Sequence, residues 1–284
     1  AAANAPPLGA LQTPAFRFPL GGFEVTALLA GARVTDKPHE TFGLNASPEA
    51  FAAASAAAFI TADRTRNHFT PVAVNTGAEL ILFDTGLSAE GTGAALAAAG
   101  IDPAQVDVVV LTHMHGDHIG GLMAADGVTP FYPNARYATG QAEFDHWAAQ
   151  GNEGFEKNVR PLADKMTFLA DGAAPVSGIT AILAAGHTPG HMAYHIESDG
   201  QRLMLTADTA NHYVWSLQYP DWEVRFDADK AMAAATRRTL FGQIAADRIP
   251  FIGYHMPFPA LGFAEAQDAG FRFVPHSYQM LLQG

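Results

Sequence analysis

The chain has 284 residues, 49% of them hydrophobic, enough for one large or two small self-folding units. Its 28 Asp and Glu outweigh 16 Lys and Arg for a formal charge of −12, which leaves no basic stripe for nucleic acid or an anionic membrane. With no cysteine, disulfides, thiolate metal sites and cysteine nucleophiles are excluded, so any metal ligand must be His, Asp, Glu or water.

Residues 1–15 read as an Ala/Pro-rich tail, extended or disordered, ahead of one folded domain over 16–284. The small residues at the start resemble what a signal peptidase leaves behind, which points to a periplasmic or secreted protein, with the cytoplasm as the alternative. No run approaches the ~18 apolar residues of a membrane span.

A strand is expected over Phe23–Ala30, an Ala-rich helix over Pro48–Thr61, and strands over Thr70–Asn75 and Glu79–Asp84 around a Thr76-Gly77 turn. A helix over Gly91–Ala99 should stop at Gly100, where a glycine just past the helix end is favoured. Asp102-Pro103 then reads as a helix cap, and Val106–Leu111 as a strand buried on both faces. Further strands are expected over Arg136–Thr139, Thr167–Leu169, Ile179–Ala184, Met192–Ile196 and Leu203–Thr206. Helices are expected over Gln141–Gln150, Asp229–Gln243 and Phe263–Ala269. This mixture predicts an α/β sandwich, sheets inside and helices outside.

The chemistry starts where Val106–Leu111 ends, in Thr112-His113-Met114-His115-Gly116-Asp117-His118-Ile119-Gly120-Gly121. Alternate residues of an extended chain share a face, so His113 and His115 can grip one ion. Gly116 permits a turn, after which Asp117 and His118 can face a second ion from a helix start. One histidine says little, but this clustering is not a packing pattern.

The segment resembles the H-x-H-x-D-H hallmark of the metallo-β-lactamase superfamily at His113, His115, Asp117 and His118. The resemblance continues through Gly186-His187-Thr188-Pro189-Gly190-His191, Thr206-Ala207-Asp208-Thr209 and Gly253-Tyr254-His255. It implies an αββα sandwich, two central mixed sheets with helices on the outer faces, and two divalent ions. Zinc suits the His/Asp set, and manganese, iron and cobalt accept similar ligands. His113, His115 and His187 would hold one ion and Asp117, His118 and His255 the other, with Asp208 bridging both. Asp84 would fix a ligand histidine by a hydrogen bond, and His191 would support the site from behind.

Histidine at 115 and aspartate at 208 resemble the two-metal hydrolases rather than di-iron oxidoreductases or many true β-lactamases. His255 to Pro259, Gly270 to Pro275, Asn211-His212 and Pro220-Asp221-Trp222 resemble the methyl parathion hydrolase branch. That branch implies hydrolysis of phosphotriesters, aryl esters or lactones, with an N-acyl-homoserine lactonase as the rival and a metal-binding protein without turnover less consistent with a complete ligand set. Two ions about 3.5–4 Å apart supply an activated water at neutral pH, with Asp117 and Asp208 as the catalytic carboxylates. No motif segment contains Lys or Arg, so a neutral small-molecule substrate is expected. Trp147, Phe155, His212, Tyr213 and Phe258 are expected to line the pocket, with Trp215 and Phe263 as further aromatics. A homodimer is compatible with the sequence.

Overall fold

In the computed structural model, which describes residue 5 and residues 8–281, β1 (Ala15–Leu20) pairs with β2 (Phe23–Leu28). The next strand, β3 (Gly31–Asp36), is followed by α1 (Pro48–Ala57) and then by β4 (Arg64–Phe69), which returns to pair with β3 as a separate two-stranded ribbon. There follow β5 (Val72–Asn75), β6 (Leu80–Phe83), α2 (Ala89–Ala98), β7 (Val108–Leu111) and a single-turn α3 (Gly116–Ile119). The first half closes with β8 (Arg136–Gly140), α4 (Gln141–Gln150), α5 (Glu153–Asn158) and β9 (Met166–Leu169). The second half contains β10 (Ile179–Leu183), β11 (Met192–Ser198), β12 (Gln201–Ala207), a π-helix (Tyr213–Gln218), α6 (Lys230–Asp247), β13 (Phe251–Gly253), β14 (Leu261–Ala266) and β15 (Phe271–Pro275).

Two mixed sheets result, one of seven strands in the order β1-β2-β5-β6-β7-β8-β9 and one of six in the order β10-β11-β12-β13-β14-β15. Strand periodicity explains how they pack. Val108 and Val110 of β7 point between the sheets, where they join Val72, Val74, Ile81 and Phe83 against Ile179, Tyr194, Leu203 and Leu205 of the other sheet. Val109 and Leu111 point the opposite way, toward Ala95 and Leu96 of α2 and Phe155 of α5. This is why β7 reads as an unbroken apolar run: each of its residues is at most 1% exposed. Burying one such side chain stabilises the fold by about 1.5–3 kcal/mol. Leu240, Phe241 and Ile244 of α6 cover the outer face of the six-stranded sheet, completing the αββα order.

Local signals set the helix starts. Ser47, Ser88, Asn152 and Asp229 each accept a hydrogen bond from a first-turn backbone N–H of α1, α2, α5 and α6. Gly100 follows α2 with φ +75°, and Asp102 closes a capping box with Gln105 on a short 3₁₀ turn.

The Phe263–Ala269 segment is not a helix. Phe263–Ala266 belong to β14, which pairs with β13 and β15, and the chain then turns through Gln267 to Gly270 into β15. The helix expected to reach Thr61 ends at Ala57, and the ribbon strand β4 begins at Arg64. No helix among the described residues is long and apolar enough to cross a membrane.

Candidate metal centre

The ligand-type side chains gather where strands of both sheets end. Beyond β7 the chain brings the rings of His113 and His115 together on one side, while Met114 packs into the helix-side core. His115 is then the N-cap residue of α3, which carries Asp117 and His118 in its single turn. From the other sheet come His187 in the loop before β11, Asp208 just after β12, and His255 just after β13. Gly116 has room for a Cβ and a negative φ, so the turn does not demand glycine there. Gly120 and Gly121 do demand it, because a Cβ on either would strike the carbonyl oxygens of Leu87 or Thr85.

Two nests of ligand atoms meet at Asp208. In the first, His115 Nδ1 lies 3.1 Å from His113 Nε2 and 3.0 Å from His187 Nε2. In the second, Asp117 Oδ2 lies 3.5 Å from His118 Nε2 and 3.3 Å from His255 Nε2. Asp208 reaches both: Oδ2 is 3.4 Å from His187 Nε2 and 3.1 Å from His255 Nε2, and Oδ1 is 3.3 Å from His118 Nε2. Four ligands about 2.0–2.1 Å from one zinc ion stand about 3.4 Å from each other, so these spacings fit divalent cations. Buried His118 Nε2 and Asp208 Oδ1 have no hydrogen-bond partner among the described residues, as expected of atoms that face an ion.

The remaining ring nitrogens are held by acceptors that fix each tautomer. His118 Nδ1 donates to Asp84 Oδ2 at 2.8 Å, and the same carboxylate accepts from Thr112 N and Oγ1. With its own proton committed to Asp84, Thr112 Oγ1 accepts from His113 Nδ1 at 3.1 Å. His187 Nδ1 donates to Asp227 Oδ1 at 2.9 Å, and His255 Nδ1 to the His68 carbonyl at 2.8 Å. His191 binds no ligand atom of another histidine; its Nε2 accepts from the Asp208 backbone N–H at 3.1 Å, steadying that aspartate. Asp84 and Ala207 have φ of 61° and 43°, left-handed conformations that cost ~1–3 kcal/mol each and occur where the chain turns its carboxylates toward the centre.

Electrostatics follow from this crowding. Burial and the neighbouring His118 drive His113 well below the ordinary imidazole range, and burial with His187 brings His115 down to about 3, leaving both neutral and able to coordinate. Burial also opposes charge on His255, but Asp208 and Asp117 overcome it and raise the ring to about 10 in the metal-free chain. His118 is raised in the same way, by Asp208, Asp117 and Asp84 against burial. Burial opposes ionisation of Asp117 and Asp208, yet the adjacent His118 and His255 hold both carboxyls below their usual range.

Two carboxylates with no visible sequence signal complete the frame. Glu143, in the first turn of α4 and 0% exposed, accepts from Met114 N, Trp147 Nε1, Thr188 Oγ1 and Gly190 N at 2.6–3.0 Å. It thereby ties the His113/His115 loop to the His187 loop. Asp227 links His187 to the buried Arg237 of α6, whose Nη1 donates to Asp227 Oδ2 at 2.9 Å.

A cavity of about 510 Å³ opens over the centre. His115, Asp117, His187, Asp208 and His255 form its floor, and Arg33, Thr35, Thr65, Asn67 and Phe69 of the β3–β4 ribbon form a wall with Phe42, Arg225 and Phe226. The expected aromatics do not line it. Phe155 is a core residue against Phe144, and Trp147 is half-buried, its ring edge to His115 at 5.5 Å and its Nε1 on Glu143. His212 caps the π-helix and stacks between Tyr213 and Trp215, while Phe258 donates its backbone N–H to His68. Phe263 faces β15 across a strand pair. The absence of Lys and Arg from the motif segments does not carry over to the cavity, because two arginines reach it from segments without a motif.

A family model described as the metallo-beta-lactamase superfamily matches residues 71–250. The N-acyl homoserine lactonase AttM of Azorhizobium caulinodans is 29% identical over 137 residues, 43% of this chain and 48% of that protein. The chain spans about half or less of the length of the curated relatives it matches. Among solved structures, AidC, a dizinc quorum-quenching lactonase in complex with a product, superposes with a TM-score of 0.85 at 24% identity over 94% of this chain and 99% of its own. The hydrolase AbOPH superposes with a TM-score of 0.83 at 23% identity over the same shares. The two sheets, the paired histidine–aspartate nests at their ends and the family match agree: the chain belongs to the metallo-beta-lactamase superfamily.

Proposed function

We propose that this protein is a lactone hydrolase acting on N-acyl homoserine lactones, with zinc as its metal. The observation that carries the reading is the wall of the cavity. An aryl phosphotriester calls for an apolar aromatic slot, whereas the phenylalanines of this wall are interleaved with polar side chains. The wall instead presents Thr35, Thr65 and Asn67, whose hydroxyls and amide suit the amide of an acyl arm, with Phe42, Phe69 and Phe226 for its hydrocarbon part. The sequence match to lactonases supports the same choice, so the phosphotriester reading gives way to the lactone one.

His113, His115 and His187 would hold one ion and Asp117, His118 and His255 the other, with Asp208 between them. When bound, the ions supply an activated water and polarise the carbonyl under attack. The chain supplies position: Asp84, Thr112, Asp227 and the His68 carbonyl keep four imidazoles presenting the correct nitrogen. Asp117, the carboxylate of the centre most open to the cavity at 22% side-chain exposure, is placed to pass the water's proton to the departing alkoxide. Rates on N-hexanoyl homoserine lactone and on an aryl phosphotriester test the proposal. The lactone should have the higher kcat/KM, and a preference for the phosphotriester would overturn the reading.

A further inference from the structure

We propose that Arg33 and Arg225 form a subsite for a carboxylate carried on the substrate's acyl arm, remote from the bond that is cleaved. The inference rests on the lactone reading for the reacting end and adds the chemistry of the other end.

Arg33 faces the cavity because of strand periodicity. The cavity-lining residues of the ribbon alternate along each strand, Arg33 and Thr35 on β3 and Thr65, Asn67 and Phe69 on β4. They are also cross-strand partners, Arg33 opposite Asn67 and Thr35 opposite Thr65. Arg225 reaches the same cavity from a segment laced to the chain that follows β3: its backbone N–H donates to the Thr41 carbonyl at 2.8 Å, and Val224 bridges Phe42.

Neither guanidinium has a carboxylate within 4.0 Å among the described residues, although carboxylates outnumber Lys and Arg 28 to 16 in the chain. Three of the acids nearest in sequence are engaged elsewhere, Asp36 with Arg64, Glu40 with Lys37, and Asp227 with His187 and Arg237, and Glu223, two residues before Arg225, lies more than 4.0 Å from its guanidinium. The carboxylates that share the cavity, Asp117 and Asp208, are turned to the histidines of the floor. An acyl arm leaving the floor therefore passes Thr65 and Asn67 and meets two arginines whose forked donors match a carboxylate.

Both arginines are solvent-exposed, so the expected discrimination is about tenfold and sensitive to salt. The test uses the metal-loaded protein and two homoserine lactones of equal arm length, one ending in a carboxylate and the other in the neutral carboxamide. The carboxylate lactone should show about tenfold higher kcat/KM through a lower KM, and 0.5 M NaCl or the double variant Arg33→Met/Arg225→Met should bring the ratio near one. Equal or better turnover of the carboxamide, or a ratio unchanged in the double variant, overturns the subsite. Should neither lactone be hydrolysed, the lactone reading falls, and the subsite is read by competition against p-nitrophenyl acetate hydrolysis. Stronger inhibition by the carboxylate compound, lost in the double variant, would still support it, and equal inhibition by the two compounds would overturn it.

Discussion

Replacing Asp227 by alanine should have two separable effects, because this carboxylate serves a metal ligand and a buried cation at once. Burial alone would raise its carboxyl, but the His187 hydrogen bond and the Arg237 charge hold it below the ordinary value. The side chains of Asp227 and Arg237 are 0% and 1% exposed, so solvent does not screen their pair. Removing one partner of such a pair costs about 3–5 kcal/mol. Arg237 keeps the Pro220 carbonyl at 2.9 Å, which favours the lower end. At roughly 2–4 °C per kcal/mol for a chain of this size, the metal-free protein should melt about 10 °C lower. Since the Asp227 carboxyl is depressed, its contribution is present above the unfolded value of about 3.9 and fades as pH falls below it, so variant and wild type should converge in acid. The second effect is on His187, whose ring loses the acceptor that aims Nε2 at the centre; affinity at the His113/His115/His187 nest should drop about 10–100-fold. Arg237→Met is the control, losing the ion pair while leaving Asp227 on His187, so stability should fall with affinity little changed. Calorimetry of chelated protein and competitive chelator titration read the two effects. An unchanged affinity in Asp227→Ala, or an equal loss in Arg237→Met, would refute the idea that this relay orients His187.

Asp208→Ala should lose both ions together, whereas His255→Ala should lose mainly the one beside Asp117 and His118; elemental analysis giving the same selective loss in both would contradict a shared carboxylate. His118 and His255 are raised above the unfolded histidine value, so their protons stabilise the metal-free chain fully below about pH 6.5, an effect that for His255 is lost as pH rises through about 10. Metal must displace those protons, so the gain in melting temperature on loading should grow between pH 6 and pH 9, and a gain independent of pH would count against this. Glu143→Ala strands four donors at ~1–3 kcal/mol each and should destabilise by about 4 kcal/mol or more, with Glu143→Gln milder; a urea midpoint shift equivalent to under about 1 kcal/mol in the alanine variant would show that the clamp is dispensable.

What the sequence disclosed was local or fixed by close spacing. The unbroken apolar β7, the glycine after α2 and the cap at Asp102 each depend on neighbours within a few residues. The histidine cluster was legible for the same reason. Glu143, Asp227 and Arg33 were not, because an isolated acid in a helix, an acid in a loop and an arginine on a polar strand have no pattern until the fold brings partners 40 to 47 residues away or a cavity to meet them. The ribbon was missed because Thr, Arg and Asn alternate on a face that covers a cavity rather than a core, so no hydrophobic period marks it. The aromatic pocket was overdrawn because aromatic content near a motif does not say which way a ring points.

Each sheet is built from one continuous stretch of chain, the seven-stranded one from Ala15 to Leu169 and the six-stranded one from Ile179 to Pro275, yet the ligands come from both. During synthesis the first sheet can close with His113, His115 and His118 already in place, His187 and Asp208 arrive with the second, and His255 emerges only after thirteen of the fifteen strands. A nascent chain stalled after β12 should therefore be able to take up an ion at the His113/His115/His187 nest while the partner nest lacks its last imidazole, and metal counts on stalled chains would show whether loading is sequential. Were loading sequential, the second ion would act as a late seal on a chain that has nearly finished folding.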